Sequence, residues 1–265
     1  MSVDLWPEAR GTIIGAGTGE GTTVTANASA HTKGSWTTLG TASGPLRRMH
    51  LMVQMVTTAR YRLDLALGTA GNEQVVVTDL YMDGTILANG AVSTFELPIA
   101  CADGETIRAR LASSTGSNTI RAAIAGYSLC TSSPPVVRTM AALGSFTNTD
   151  PSATVTLNGT TYTAWTEIVA STPAELACLI VTPSSVGDTT RTSARYQIEI
   201  GIGAAAAEET IATAVMGIRA AGIAMGPRGG TIWGRIAAGH RLAYRVRSHT
   251  TGTDSFAVSA LGGFV

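Results

Sequence analysis

The stretch Arg60-Tyr61-Arg62-Leu63-Asp64-Leu65-Ala66-Leu67-Gly68 decides the fold. Tyr61, Leu63, Leu65 and Leu67 alternate with Arg60, Arg62, Asp64 and Ala66, the period of two expected of a strand with one buried and one wet face. The pattern returns 135 residues later as Arg195-Tyr196-Gln197-Ile198-Glu199-Ile200-Gly201-Ile202-Gly203. Tyr196, Ile198, Ile200 and Ile202 now hold the buried face. Identities change while the period survives, so the two stretches read as equivalent strands of an internal repeat.

The same offset carries Glu73 onto Glu208, and Gly104-Glu105-Thr106-Ile107-Arg108-Ala109-Arg110-Leu111 onto Gly239-His240-Arg241-Leu242-Ala243-Tyr244-Arg245-Val246. Ile107, Ala109 and Leu111 define a second buried face, matched by Leu242, Tyr244 and Val246. Arg108 and Arg110, like Arg241, Arg245 and Arg247, fall opposite and read as a solvated strand surface rather than a basic binding stripe. Upstream the offset is 131 for Val24-Thr25-Ala26-Asn27 against Val155-Thr156-Leu157-Asn158, and 129 for Trp36 against Trp165. Small loop insertions account for the drift.

Ala204 to Ala221 has helical propensity, with an alanine run and few breakers. Its counterpart in the repeat, Thr69 to Leu80, reads as a Gly71-Asn72 turn followed by the strand Val75-Val76-Val77, so both are expected to be strands. Turn signals such as Asp83-Gly84, Asn89-Gly90 and Asp103-Gly104 recur at about the spacing of a sandwich or jelly roll. The expected fold is all-β: two tandem antiparallel β-sandwich, jelly-roll-like domains of about eight strands each, produced by internal duplication. A Gly-rich arm covers 1–20, the first domain 21–129, a proline-containing linker 130–135 and the second domain 136–265. Pro134-Pro135 marks the joint because paired prolines cannot continue a central strand.

Charged residues make up 14% of the chain, and 18 basic side chains balance 18 acidic ones. Such a surface has no strong long-range field, which argues against a nucleic acid partner. Cys101, Cys130 and Cys178 are too few and too widely spaced for a disulfide framework or a zinc site, and read as buried thiols. Residues 1–10 carry acidic side chains and Trp6-Pro7 where a signal peptide would have an apolar core, and no apolar run reaches membrane-spanning length. Synthesis in a host cytoplasm, without secretion and without a membrane partner, is the expectation.

No catalytic constellation emerges. Gly15-Ala16-Gly17-Thr18-Gly19-Glu20-Gly21 departs from both nucleotide-binding glycine motifs and reads as part of the arm. His31, His50, His240 and His249 lack metal-ligand spacing, and no nucleophile elbow occurs. Asp64 and Glu199 are equivalent positions in different domains rather than a facing carboxylate pair. Asn27-Ala28-Ser29 and Asn158-Gly159-Thr160 match glycosylation sequons but read as turns. No catalytic, cofactor or metal residue is nominated, and a non-enzymatic protein is expected. Trp36 and Trp165 are the candidate glycan contacts, with a core role favoured for both because large aromatics dominate sandwich cores.

Gly21 to Trp36, and the segment of the type YRLDLALGTAGNEQ at Tyr61 to Gln74 with its partner in the second copy, resemble β-sandwich modules of virion proteins from tailed bacteriophages and related gene transfer particles. The resemblance covers most of both copies in general pattern and transfers no active-site residue. It implies a virion structural protein, a capsid decoration or head-fibre subunit, with a tail-associated adhesin or carbohydrate-binding module as the alternative. The implied partners are further copies in a symmetric homo-oligomer such as a trimer, other virion proteins such as the major capsid protein or tail components, and a host surface glycan. The arm before Val24 is expected to thread into a neighbouring subunit or the shell.

Overall fold

The computed structural model describes residues 11–15, 21–84, 92–128, 137–186, 193–219, 223–225, 230–249 and 253–265. They form strands and turns, and the fold is all-β, as the alternation requires. The first half contributes β1 (Gly11–Ile14), β2 (Thr22–Thr25), β3 (Thr37–Thr41), β4 (Arg48–Met55), β5 (Arg60–Leu67), β6 (Gln74–Asp83), β7 (Val92–Leu97), β8 (Thr106–Ser113) and β9 (Thr119–Tyr127). The second contributes β10 (Thr139–Leu143), β11 (Phe146–Thr147), β12 (Asp150–Pro151), β13 (Thr154–Asn158), β14 (Thr166–Val169), β15 (Leu176–Val186), β16 (Ser193–Ile202), β17 (Glu209–Arg219), β18 (Ile223–Met225), β19 (Gly230–Ile236), β20 (Leu242–Ser248) and β21 (Thr253–Phe264).

In the first half one sheet runs β1-β9-β4-β7, with β2 continuing beside β9, and the facing layer runs β3-β8-β5-β6. Strands alternate between layers along the chain in the jelly-roll manner. The second half has the same order: β10 and β13 share one edge of β21, with β15 and then β19 beyond its other edge, opposite β14-β20-β16-β17 with β18 at the edge. Registers agree as well. Tyr61 faces Ser113 and Leu67 faces Ile107, while Tyr196 faces Ser248 and Ile202 faces Leu242. Val24 faces Ile120, and Val155 faces Phe256. The turns match too: Gly68 and Gly203 have φ of +111° and +125°, and a Cβ at either would fall under 3 Å from a carbonyl oxygen four residues ahead.

Leu51, Val53, Ile120 and Ile124 from one layer meet Leu63, Leu65, Ile107 and Leu111 from the other in a core shielded from solvent. Ala204 to Ala221 is not helical where described. Glu209 to Arg219 pairs with β16 along its length, so tertiary pairing overrides the alanine propensity.

The halves are joined by more than a linker, and residues 130–135 lie outside the described residues. β10 lies between β21, antiparallel, and β6 of the first half, parallel, with Met140 opposite Val77 and Ala141 opposite Thr78. One nine-stranded sheet therefore crosses both halves. The β11–β12 hairpin adds a clasp on the outer face of β5 and β6. Arg60 pairs with Asp150 at 2.7 Å, the Arg62 guanidinium lies 5.3 Å from the Phe146 ring, and Phe146 packs beside Tyr81.

The stretch expected to be an arm, 1–20, needs revision where it is described. Gly11–Ile14 is a strand of its own sheet, antiparallel to β9, with Ile14 buried beside Ile124. Ile14 supplies the buried apolar side chain that holds it there, while Ile13 is left exposed, and the surrounding glycines mask the signal. Residues 1–10 and 16–20 lie outside the described residues.

Candidate functional site

On β5, Leu63 and Leu65 point inward, so Asp64 between them faces outward, yet it is only 1% exposed. Three donors cover it: Lys33 Nζ at 2.7 Å and the Asp79 amide at 2.9 Å on Oδ1, and Arg110 Nε at 2.8 Å on Oδ2. Asp79 reaches it through a bulge in β6, where its φ is +57°. Burial alone would raise the Asp64 carboxyl, but the charge and hydrogen bond of Lys33, the Asp79 amide and Arg110 together hold it below the usual carboxylate range. The Arg110 guanidinium in turn stacks 4.5 Å from the Trp36 ring.

The second half builds the same cluster from partly different residues. Glu199 takes the place of Asp64 and Arg245 that of Arg110, with Arg245 Nε 2.7 Å from Glu199 Oε2. Tyr162 stands where the first half has Lys33, and its hydroxyl donates to Glu199 Oε1 at 2.7 Å. The Arg245 guanidinium lies between the Trp165 ring at 4.6 Å and the Tyr162 ring at 4.7 Å, and Arg247 stacks 4.7 Å from Tyr162. Burial would raise Glu199 too, but Tyr162, Arg245 and Thr210 hold it low. The longer glutamate reaches a phenol on the surface, whereas the shorter aspartate needs a lysine to reach down to it.

Trp36 and Trp165 are thus equivalent but are not core residues. Both are half-buried on the outer faces of their sheets, each against an arginine. Trp165 sits directly on Gly201, where a Cβ would approach the ring to 2.7 Å. The arginines are likewise not a plainly solvated face. Arg108 pairs with Glu73, and Arg241 pairs with Glu208 and Glu167. Glu73 and Glu208 are equivalent while their arginines stand two residues apart on the same strand face. Lys33 and Tyr162 escape motif reading because their side chains share no chemistry; they emerge only when the 129-residue offset of the tryptophans is carried three residues upstream.

Both carboxylates are ionised and fully engaged, and Asp64 and Glu199 lie in different halves, so the clusters are suited to holding shape and to contact through flat polar surfaces. Among the described residues no group of three His, Cys, Asp or Glu side chains could hold a metal. Cys101 and Cys178 are buried thiols pushed up to about 11 by burial, and Cys130 lies outside the described residues. Asn27 caps a turn by accepting the Ser29 amide at 2.9 Å.

A second feature distinguishes the halves. Between the layers of the second lies an apolar cleft of about 440 Å³, lined by Val181, Pro183, Ile198, Ile200, Ala212 and Ala214 among others. The ladders explain it. Leu63 faces Leu80 and Leu65 faces Val77, whereas Ile198 faces Ala214 and Ile200 faces Ala212. Leu51 faces Phe95 in the first half, and Val181 faces Gly230 in the second. Three large side chains that fill the first core are small residues in the second.

No family model matches the chain, and no curated protein is significantly similar to it. Among solved structures, the major capsid protein P2 of bacteriophage PM2 aligns over 97% of this chain and 98% of that one, with 13% identity and a TM-score of 0.36. Recombinant N-glycanase F (PNGase F) aligns over 96% of both chains, with 10% identity and a TM-score of 0.39. Neither similarity carries a functional conclusion.

Proposed function

We propose that the protein is a non-enzymatic structural subunit of a virus particle, carried on its exterior as a capsid decoration or head-fibre subunit and made in the host cytoplasm. The observation that supports this reading most is the joining of two like sandwiches edge to edge through a single nine-stranded sheet. A subunit built by lateral repetition of one shape is suited to symmetric assembly. Ion-paired carboxylates and the resemblance of Gly21 to Trp36 to virion modules favour the same role. Its partners are further copies of itself and the major capsid protein. Immunogold labelling of purified particles tests the reading. Label spread over the heads is expected; label at one pole would move the protein to the tail, and unlabelled particles would reject a virion role.

A second reading, a tail adhesin or carbohydrate-binding module, is favoured by the half-buried Trp165 ring beside Tyr162. Trp165→Ala should then abolish binding on a host glycan array while leaving the free energy of unfolding within about 1 kcal/mol of the wild type. A stable variant with unchanged glycan binding would remove this reading.

A further inference from the structure

The seam inside the molecule joins two unlike edges, the outer edge of β6 and the outer edge of β10. Each has an equivalent elsewhere in the chain. β10 corresponds to β1: Leu143 faces Ala260 as Ile14 faces Ile124, and Gly144 and Gly15 follow with φ of +83° and +82°. β6 corresponds to β17: Val77 faces Leu65 as Ala212 faces Ile200. Among the described residues the molecule therefore uses one copy of each edge internally and leaves the other copy of each without a full-length partner. Among the described residues β1 pairs with β9 alone, and the outer edge of β17 is met only at Gly217–Arg219, by β18.

Both unused edges carry exposed apolar side chains, Ile13 at 63% and Val215 at 53%. The edge of β17 is also less protected than that of β6. The extra residue Asp79 bends β6 just beyond its contact with β10, whereas Ile198 to Ile200 pair with Ala214 to Ala212 without a bulge. The irregularity of β17 falls one residue before Ala212, at Ile211, and beyond it an unpaired, apolar edge is a template for strand addition.

We propose that β1 of one molecule adds in parallel to β17 of a second copy, repeating the internal seam. Gly11 then stands opposite Ala212 and Thr12 opposite Thr213, the positions of Met140 on Val77 and Ala141 on Thr78. Continuing the register sets Ile13 opposite Ala214. Paired residues share a face, and Ala214 faces the interior of its half, so Ile13 points into the apolar cleft between β17 and β19. The small residues that open this cleft make room for it. Each molecule gives one edge and receives one, a heterologous contact that closes as a ring or extends as a filament. The inference rests on the proposed self-assembly and names the surface that performs it.

Single variants Ile13→Cys and Ala214→Cys, in a Cys130→Ser background, are oxidised separately, mixed, and combined in one chain. The mixture should give cross-linked dimers and the double variant a ladder of larger species. Sedimentation velocity should show wild-type oligomers and an Ile13→Glu variant shifted to monomer, with a melting temperature equal to that of the wild type diluted to monomer, since Ile13 is exposed in the single molecule. Oligomers that survive Ile13→Glu, with no cross-linking in the mixture, would overturn the strand pairing and leave self-assembly intact. A wild-type protein that stays monomeric at all concentrations and does not cross-link would overturn both.

Discussion

Asp64 is the side chain whose loss should be felt most. Asp64→Asn removes a buried carboxylate shared by Lys33 and Arg110, and although Lys33 keeps Asp79 at 2.9 Å and Arg110 is a third exposed, it should destabilise by about 2 kcal/mol in urea titration. Glu199→Gln should cost under about 1 kcal/mol, because Glu199 is less deeply covered than Asp64 and its second partner, Tyr162, is neutral and can still donate to the amide oxygen. The pH response follows from the same chemistry. The folded Asp64 carboxyl ionises at lower pH than the unfolded one, so its contribution is complete above about pH 4 and is lost as the pH falls through the folded value. Urea midpoints between pH 5 and 2 should fall more steeply for the wild type than for Asp64→Asn. At this scale the sequence was half legible. The 135-residue offset pairs Asp64 with Glu199 and the 129-residue offset pairs the tryptophans, but the surroundings of Trp36 and Trp165 depend on arginines more than 70 residues away, which no local pattern encodes.

Alternation identifies β5, β8, β16 and β20 directly, because the large apolar side chains of each recur with a period of two. β17 required the repeat, since its own composition favours a helix and its pairing with β16 decides otherwise. β1 and the β6–β10 seam were illegible: a four-residue strand among glycines and a parallel contact of two residue pairs leave no periodic trace. The elements also differ in how well they fill their interiors. Leu80→Ala should cost about 2–4 kcal/mol, while Ala214→Leu, which restores the first-half residue in the open cleft, should add about 1 kcal/mol. Paired denaturation curves would check both, and a loss of stability in Ala214→Leu would show that the two ladders are not interchangeable.

Across the whole molecule, the shared sheet couples the halves. Calorimetry should give one unfolding transition whose calorimetric and van't Hoff enthalpies agree; two resolved transitions would mean that β10 holds β6 only weakly. The position of β10 in the chain also sets a timetable. Tyr127 completes the first sandwich and Thr139 begins the strand that covers β6, so during translation that edge waits only about one to two seconds for its partner. The edge of β17 has no such successor beyond the short β18 among the described strands. The hazard of edge-driven aggregation therefore passes from the nascent chain to the finished protein, where it grows with cellular concentration rather than with the pace of the ribosome.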